Sequence, residues 1–227
     1  LGHRFLCFFP QESLDEAIGL GLASGMGGGG LRVGGLKLYL DGTLGSQSAH
    51  MLAPYESQPH NRGIATIEPD EFRAITSRAA DAGIATAVHA IGDAANRTAL
   101  DGLSAAVGGH GGKRLRHRIE HVQVLDPLDV SRFAQAGIIA SMQPVHCTSD
   151  MHAAERWWGE RAAWAYPWRA LLDSGARLAF GSDAPIETLQ ALAGIHAAVT
   201  RTTQQGDPPG GWRPQHRIAI REALEAY

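Results

Sequence analysis

DAGIATAVHAIGDAANRTALDGL, residues 81–103, carries the grammar of the whole chain: a helix closes, a glycine follows, a short apolar run ends on a histidine, and a second helix begins. Two more passages repeat it. VSRFAQAG precedes IIASMQP, and WRALLDSG precedes ARLAFGSDAP. Gly83, Gly137 and Gly175 each fit the position just past a helix end, where a left-handed backbone is needed. Helix starts are signalled too: Pro69 and Pro127 fit first-turn positions, and Asp126 is a candidate N-cap. The apolar runs lack alternation, as expected of parallel strands covered on both faces.

This pattern predicts strands over 4–9, 36–40, 84–89, 118–121, 138–142 and 178–181. Helices are predicted over 14–24, 70–82, 94–107, 128–136, 167–174 and 189–203, with REALEAY opening another. The glycine-rich stretches 25–30 and 108–112 read as flexible connections, and 205–214 as a Pro/Gly-rich loop. The fold class is α/β, an incomplete TIM-type (β/α)8 barrel of about six β/α units forming one domain over 1–227. Closing a barrel needs two more strands, so the chain reads as an internal piece of a longer protein, truncated at both ends. Open edges and an uncovered core face predict a poorly soluble or oligomeric, inactive fragment.

Composition excludes several classes. With 44% hydrophobic and 19% charged residues the chain is globular, and a net charge of −3 offers no footprint for nucleic acid. No apolar run approaches a membrane span, and LGHRFLCFFP lacks the layout of a signal peptide. Cys7 and Cys147 form no disulfide framework, which favours a reducing, cytoplasmic setting. Lys37 and Lys113 are the only lysines among 20 basic residues, so a lysine inside an apolar strand stands out against an arginine background.

Four polar residues fall where parallel strands end, the edge at which such barrels keep their active sites: Lys37, His89, His121 and Asp183. His89 and His121 are 32 residues apart, one unit, and His121 and Asp183 are 62 apart, two units. Single strand-end histidines are more often structural, but two on adjacent strands favour a shared cation. Asp183 reads either as a helix N-cap with Pro185 just inside, or as a ligand that also takes the proton of a metal-activated water. Lys37 is either a solvent-seeking ammonium paired with Asp41 or a neutral amine able to add carbon dioxide as a carbamate, which arginine cannot do. Glu120 should point away from His121 across the strand, as a packing or ion-pair partner.

KLYLDGTLGSQSA (37–49), VHAIGDAANRTALDGL (88–103), RHRIEHVQVLDPLDVSRFAQAGIIASMQPVH (116–146) and GSDAPIETLQALAGIHAAVTR (181–201) resemble the metal-dependent amidohydrolase superfamily. Within it they are most similar to amidohydrolase family 3, the branch that includes N-substituted formamide deformylases. The resemblance implies that Lys37 is the carboxylated lysine of the fourth barrel strand, His89 and His121 the metal-binding histidines of the fifth and sixth, and Asp183 the metal-binding proton carrier of the eighth. The chain then holds strands three to eight and lacks the first two and the small β-sandwich subdomain. Gln143 and His146 match positions facing the pocket, as substrate contacts, with His146 also a catalytic, oxyanion-contacting residue. Asp41, Gly42 and Asp93 fall in family-like motifs and are read as loop-shaping. The His-x-His pair of the first strand is absent, so a second cation would lose its main donors.

His110, among glycines, and His3, His50, His60 and His216 have no evident partners, and His117 falls on the presumed outer side. Trp157, Trp158, Trp164, Tyr166 and Trp168 serve either as packing or as an apolar wall over the substrate. The expected activity is hydrolysis of C–N bonds in amides, N-substituted formamides or cyclic amides through metal-activated water. One or two divalent ions, zinc foremost, and a small-molecule substrate are implied, with oligomers allowed. Two alternatives stand beside it: a degenerate metal-binding barrel acting as a binding module, and a metal-free barrel holding a phosphorylated substrate. The second would need a glycine-rich cradle where GSDAP instead places an anion.

Overall fold

The computed structural model describes residues 2–107 and 115–227. The expected connection at 108–112, His110 and Lys113 lie outside the described residues. In chain order the elements are β1 (Phe5–Pro10), α1 (Leu14–Gly19), β2 (Gly27–Gly28), β3 (Leu31–Tyr39), α2 (Pro69–Asp81), β4 (Thr86–Ala90), α3 (Asp93–Val107) and β5 (Arg118–His121). They continue with α4 (Val130–Ala136), β6 (Ile139–Met142), α5 (Pro144–Trp158), α6 (Trp168–Asp173), β7 (Arg177–Phe180), α7 (Ala191–Thr200) and α8 (Ile220–Ala226). One sheet runs β1-β3-β4-β5-β6-β7, every pair on this path parallel, with β2 antiparallel on β3. The architecture is a partial TIM-type barrel, its strands joined in sequence by helical crossovers.

The sheet curls. Three strand spacings separate β1 from β5, about 14 Å in a flat sheet, yet the Arg118 guanidinium on β5 lies 4.5 Å from the centre of the Phe8 ring on β1. Both side chains therefore occupy the concave side. The convex side is covered by α2, α3, α4 and α6, and the core between layers includes Leu36, Leu38, Phe72, Val88, Leu100, Ile119 and Phe133. Gly83, Gly137 and Gly175 have φ of 76°, 67° and 85°, the left-handed helix exits read in the sequence. Asp126 caps its turn by accepting from the Leu128 amide at 2.9 Å.

Two segments differ from their sequence reading. The stretch at 25–30 is no loose connection: Gly27–Gly28 pairs with β3, whose first residue is therefore Leu31. Glycine lowers strand propensity, but here it allows a tight reversal. The residues after β6 form a fifteen-residue helix, α5, where the sequence pattern predicted none. Thr148, Ser149 and Asp150 are weak helix formers and hid it. Pro144 in the first turn and buried His146, Cys147, Met151, Ala154 and Trp158 at helical spacing hold it in place. Among the described residues, no helix is long and apolar enough to cross a membrane.

Candidate functional site

The carboxyl ends of β3, β4 and β5, the first turn of α5 and the loop after β7 converge on one rim. Lys37 (β3), His89 (β4) and Glu120 (β5) lie near one another across the ladders, since Tyr39 pairs with His89 and His89 with Glu120. The next residue breaks strand alternation. His121 and Val122 have φ of 77° and 47°, left-handed values that non-glycine residues seldom adopt. That kink swings His121 onto the same side as Glu120, its ring 4.5 Å from the His89 ring, edge to face. The expected opposition of Glu120 and His121 is thus overturned, because alternation holds only while the backbone stays extended. As an ion-pair partner Glu120 behaves as read: Arg118 Nε lies 2.5 Å from its Oε1, although without the alignment of a hydrogen bond.

Each histidine has one nitrogen engaged by the protein. The His89 Nε2–H donates to the Gly42 carbonyl at 3.0 Å, with the Asp41 carboxylate 3.4 Å away, which leaves Nδ1 open. The His121 Nδ1–H donates to Gln143 Oε1 at 2.9 Å, which leaves Nε2 open. His121 is held neutral: burial and the neighbouring His89, His146 and Lys37 push its pKa down to about 3. Burial likewise lowers the Lys37 ammonium below its ordinary range, with Arg118 adding to the effect and Glu120 and Asp183 opposing it. The Lys37 Nζ sits 4.9 Å from the centre of the Tyr39 ring.

Asp183 is not a helix cap. No helix begins near it: its carbonyl accepts from Ile186 in a turn, its φ is 56°, and α7 starts only at Ala191. Its carboxylate, 39% exposed, lies 3.9 Å from His146 Nε2. One donor atom each from His121, His146 and Asp183 fall within 4.8 Å of one another. A neutral imidazole with an open nitrogen beside a carboxylate suits a divalent cation of the zinc class. His146, read from the sequence as a substrate contact, therefore stands inside the same cluster. Gln143, read likewise, is turned onto His121.

The loop-shaping residues do what their motifs suggested. Asp41 does not pair with Lys37; it accepts from the amides of His50, Ile91 and Gly92 at 2.8–3.3 Å. Asp93 accepts from Leu52 and Ala94. Gly92 lies so close to the next loop that a Cβ would sit 2.0 Å from the His50 carbonyl. The aromatic residues are packing: Trp158, Tyr166 and Trp168 are fully buried, and Trp157 and Trp164 pack against the core. His117 and His216 also gain partners, His117 Nδ1 accepting from the Thr86 amide and His216 Nε2–H donating to Ala163. A cavity of 290 Å³ lined by Leu40, His50, Ile67, Pro69 and Ala95 holds none of the rim cluster.

Sequence reasoning missed Gln123 and Asp150. Gln123 Nε2 lies 3.3 Å from His146 Nδ1. Asp150 follows His146 by four residues, a spacing that puts both on one face once α5 is known to be a helix.

Residues 3–227 match the amidohydrolase family. The chain belongs to that family. It is 36% identical over 226 residues to the protein LONG AFTER FAR-RED 3 of Arabidopsis thaliana, covering 98% of this chain and 38% of that protein. The N-substituted formamide deformylase of Arthrobacter pascens is 26% identical over 199 residues, covering 87% of this chain and 36% of the deformylase. An uncharacterized metal-dependent hydrolase from Pyrococcus furiosus superposes with a TM-score of 0.83 and 32% identity over 100% of this chain and 45% of its own. This amidohydrolase chain thus spans less than half the length of these relatives.

Proposed function

We propose that this chain carries the greater part of the active site of a metal-dependent hydrolase of C–N bonds, acting on amides, N-substituted formamides or cyclic amides. The observation that carries the reading is the convergence of Lys37, His89, His121 and Asp183 on one rim of the parallel sheet. The formamide deformylase among the relatives supports the substrate class.

Lys37, His89, His121 and Asp183 would hold the cation, one or two zinc-like ions in the intact protein. Such an ion supplies a Lewis acid and lowers the pKa of water at its surface. His89 and His121 offer it Nδ1 and Nε2, each imidazole oriented by the hydrogen bond on its other nitrogen. Burial shifts Lys37 towards the neutral amine, the form that adds carbon dioxide to give a carbamate anion and a released proton. Asp183 takes the proton of the attacking water and passes it to the leaving nitrogen; partial exposure leaves its carboxylate open to substrate. His146 faces the substrate oxygen, with Gln143 oriented beside it, and the whole operates in the cytoplasm.

In the intact protein, Asp183→Asn is expected to lower turnover of an N-substituted formamide by about 10²–10⁴-fold, the usual contribution of a positioned proton carrier. The melting temperature should stay unchanged. An unaltered rate would remove Asp183 from the chemistry.

A further inference from the structure

His146 Nε2 is buried with no hydrogen-bond partner among the described residues, and it looks towards Asp183 and His121. Such an atom has two opposite uses. As a bare lone pair it is a cation ligand; as an N–H it is a donor in need of an acceptor. The other ring nitrogen decides, since neutral imidazole carries one proton.

That nitrogen faces Gln123. The Gln123 side chain, 3% exposed, places Nε2 3.3 Å from His146 Nδ1 and leaves Oε1 without a partner among the described residues. On its other side this amide lies beside the Asp150 carboxyl group, which it stabilises in the ionised form, although without the alignment of a hydrogen bond. Burial raises the Asp150 pKa, but its ionised form is favoured by the Gln123 NH2 group, and a reversed amide would set oxygen against oxygen. Asp150 is held in turn by the Tyr166 hydroxyl, which donates to Oδ2 at 2.9 Å. Tyr166 keeps that proton because burial raises its pKa well above the ordinary value. Its backbone is tied down as well: its amide donates to the Gln123 carbonyl at 2.7 Å, and its own carbonyl accepts from the buried Arg201 guanidinium at 2.9 Å. With the NH2 group so placed, Gln123 Nε2 donates to His146 Nδ1, which accepts. The nearby Asp183 carboxylate, 3.9 Å from Nε2, favours the same outcome by attracting an N–H.

We infer that Gln123 is a positioning residue which, oriented by Asp150, fixes the His146 proton on Nε2 and makes His146 a hydrogen-bond donor to the substrate's carbonyl oxygen rather than a metal ligand. The proton's role rests on the hydrolase reading above; its location does not.

The tautomer can be read without substrate or metal. In the chain labelled with 15N-histidine, above the ordinary imidazole pKa range, long-range 1H–15N spectra separate protonated from unprotonated ring nitrogens, with His146→Gln assigning the signals. His146 should show a protonated Nε2 and a bare Nδ1. Gln123→Glu puts an acceptor against Nδ1 and should move the proton there, while His121 stays unchanged. Asp150→Asn frees the amide to turn and should give a mixture, which serves if the glutamate variant does not fold. A wild-type His146 protonated on Nδ1 overturns the inference, as does a pattern that no variant alters. Zinc chloride titration supplies the second arm. His146→Gln should leave zinc affinity within about twofold, while His121→Gln lowers it by about tenfold or more, the usual scale for metal-site losses. Equal losses in both variants would make His146 a ligand. Absence of zinc binding would defeat the metal reading while leaving the tautomer result standing.

Discussion

β4 and β1 are both short, apolar, parallel strands of one sheet, yet they live in different surroundings. All five residues of β4 are buried, and His89 is held there among them by Gly42 and Asp41. β1 carries more aromatic and aliphatic bulk, but Phe5 and Leu6 are more than half exposed and Cys7 is open as well. The difference is one of coverage. β4 has a strand on each side and helices behind it, whereas β1, among the described residues, pairs only with β3. Apolar composition makes burial favourable, but only a neighbouring layer supplies it, and buried polar chemistry is held in place only where the layers are complete.

The strongest way to break this comparison is acid. His121 is folded in its neutral form, with its pKa lowered from 6.5 to about 3. The unfolded chain therefore takes up a proton first as pH falls. Stability is full above pH 6.5 and is lost progressively as pH falls towards 3, by roughly 3–5 kcal/mol from this residue. Urea unfolding across that range, with His121→Gln as reference, should show a steep slope in the native chain and a shallower one in the variant; parallel curves would deny His121 its buried, neutral state. A second probe compares equal truncations at the sheet centre and edge. Leu38→Ala, in β3 and 1% exposed, should cost about 3 kcal/mol by leaving a cavity. Leu6→Ala, at a residue 54% exposed, should change stability by less than about 0.5 kcal/mol. Similar losses at both sites would mean that β1 is covered in solution.

The same contrast explains what the sequence disclosed. The repeated helix, glycine, strand grammar placed β4, β6 and β7, because left-handed glycines and unbroken apolar runs are local signals read one residue at a time. Lys37, His89 and His121 stand out in the sequence by their position towards strand ends. What local pattern does not record is where a side chain goes once the backbone departs from regular geometry. Glu120 and His121 share a side only because two residues turn left-handed, and nothing in RIEHVQ announces that. α5 was hidden by polar residues with weak helical preference, and with it the pairing of His146 and Asp150. Gln123 had no signal of its own, since a lone glutamine after a strand becomes notable only when its neighbours in space are known. Asp183 was split between cap and ligand, and only the late start of α7 removed the cap.

The left-handed pair at His121 and Val122 also bears on how this protein can change over generations. A loop that only spans a gap can gain or lose residues at little cost. Here the direction of His121 depends on a specific count of residues from Arg118 to a strained corner. One residue inserted in β5 would carry His121 round to the helix layer and bring a neighbour to the rim. Insertions of that kind should therefore be rare in β5 among functional descendants.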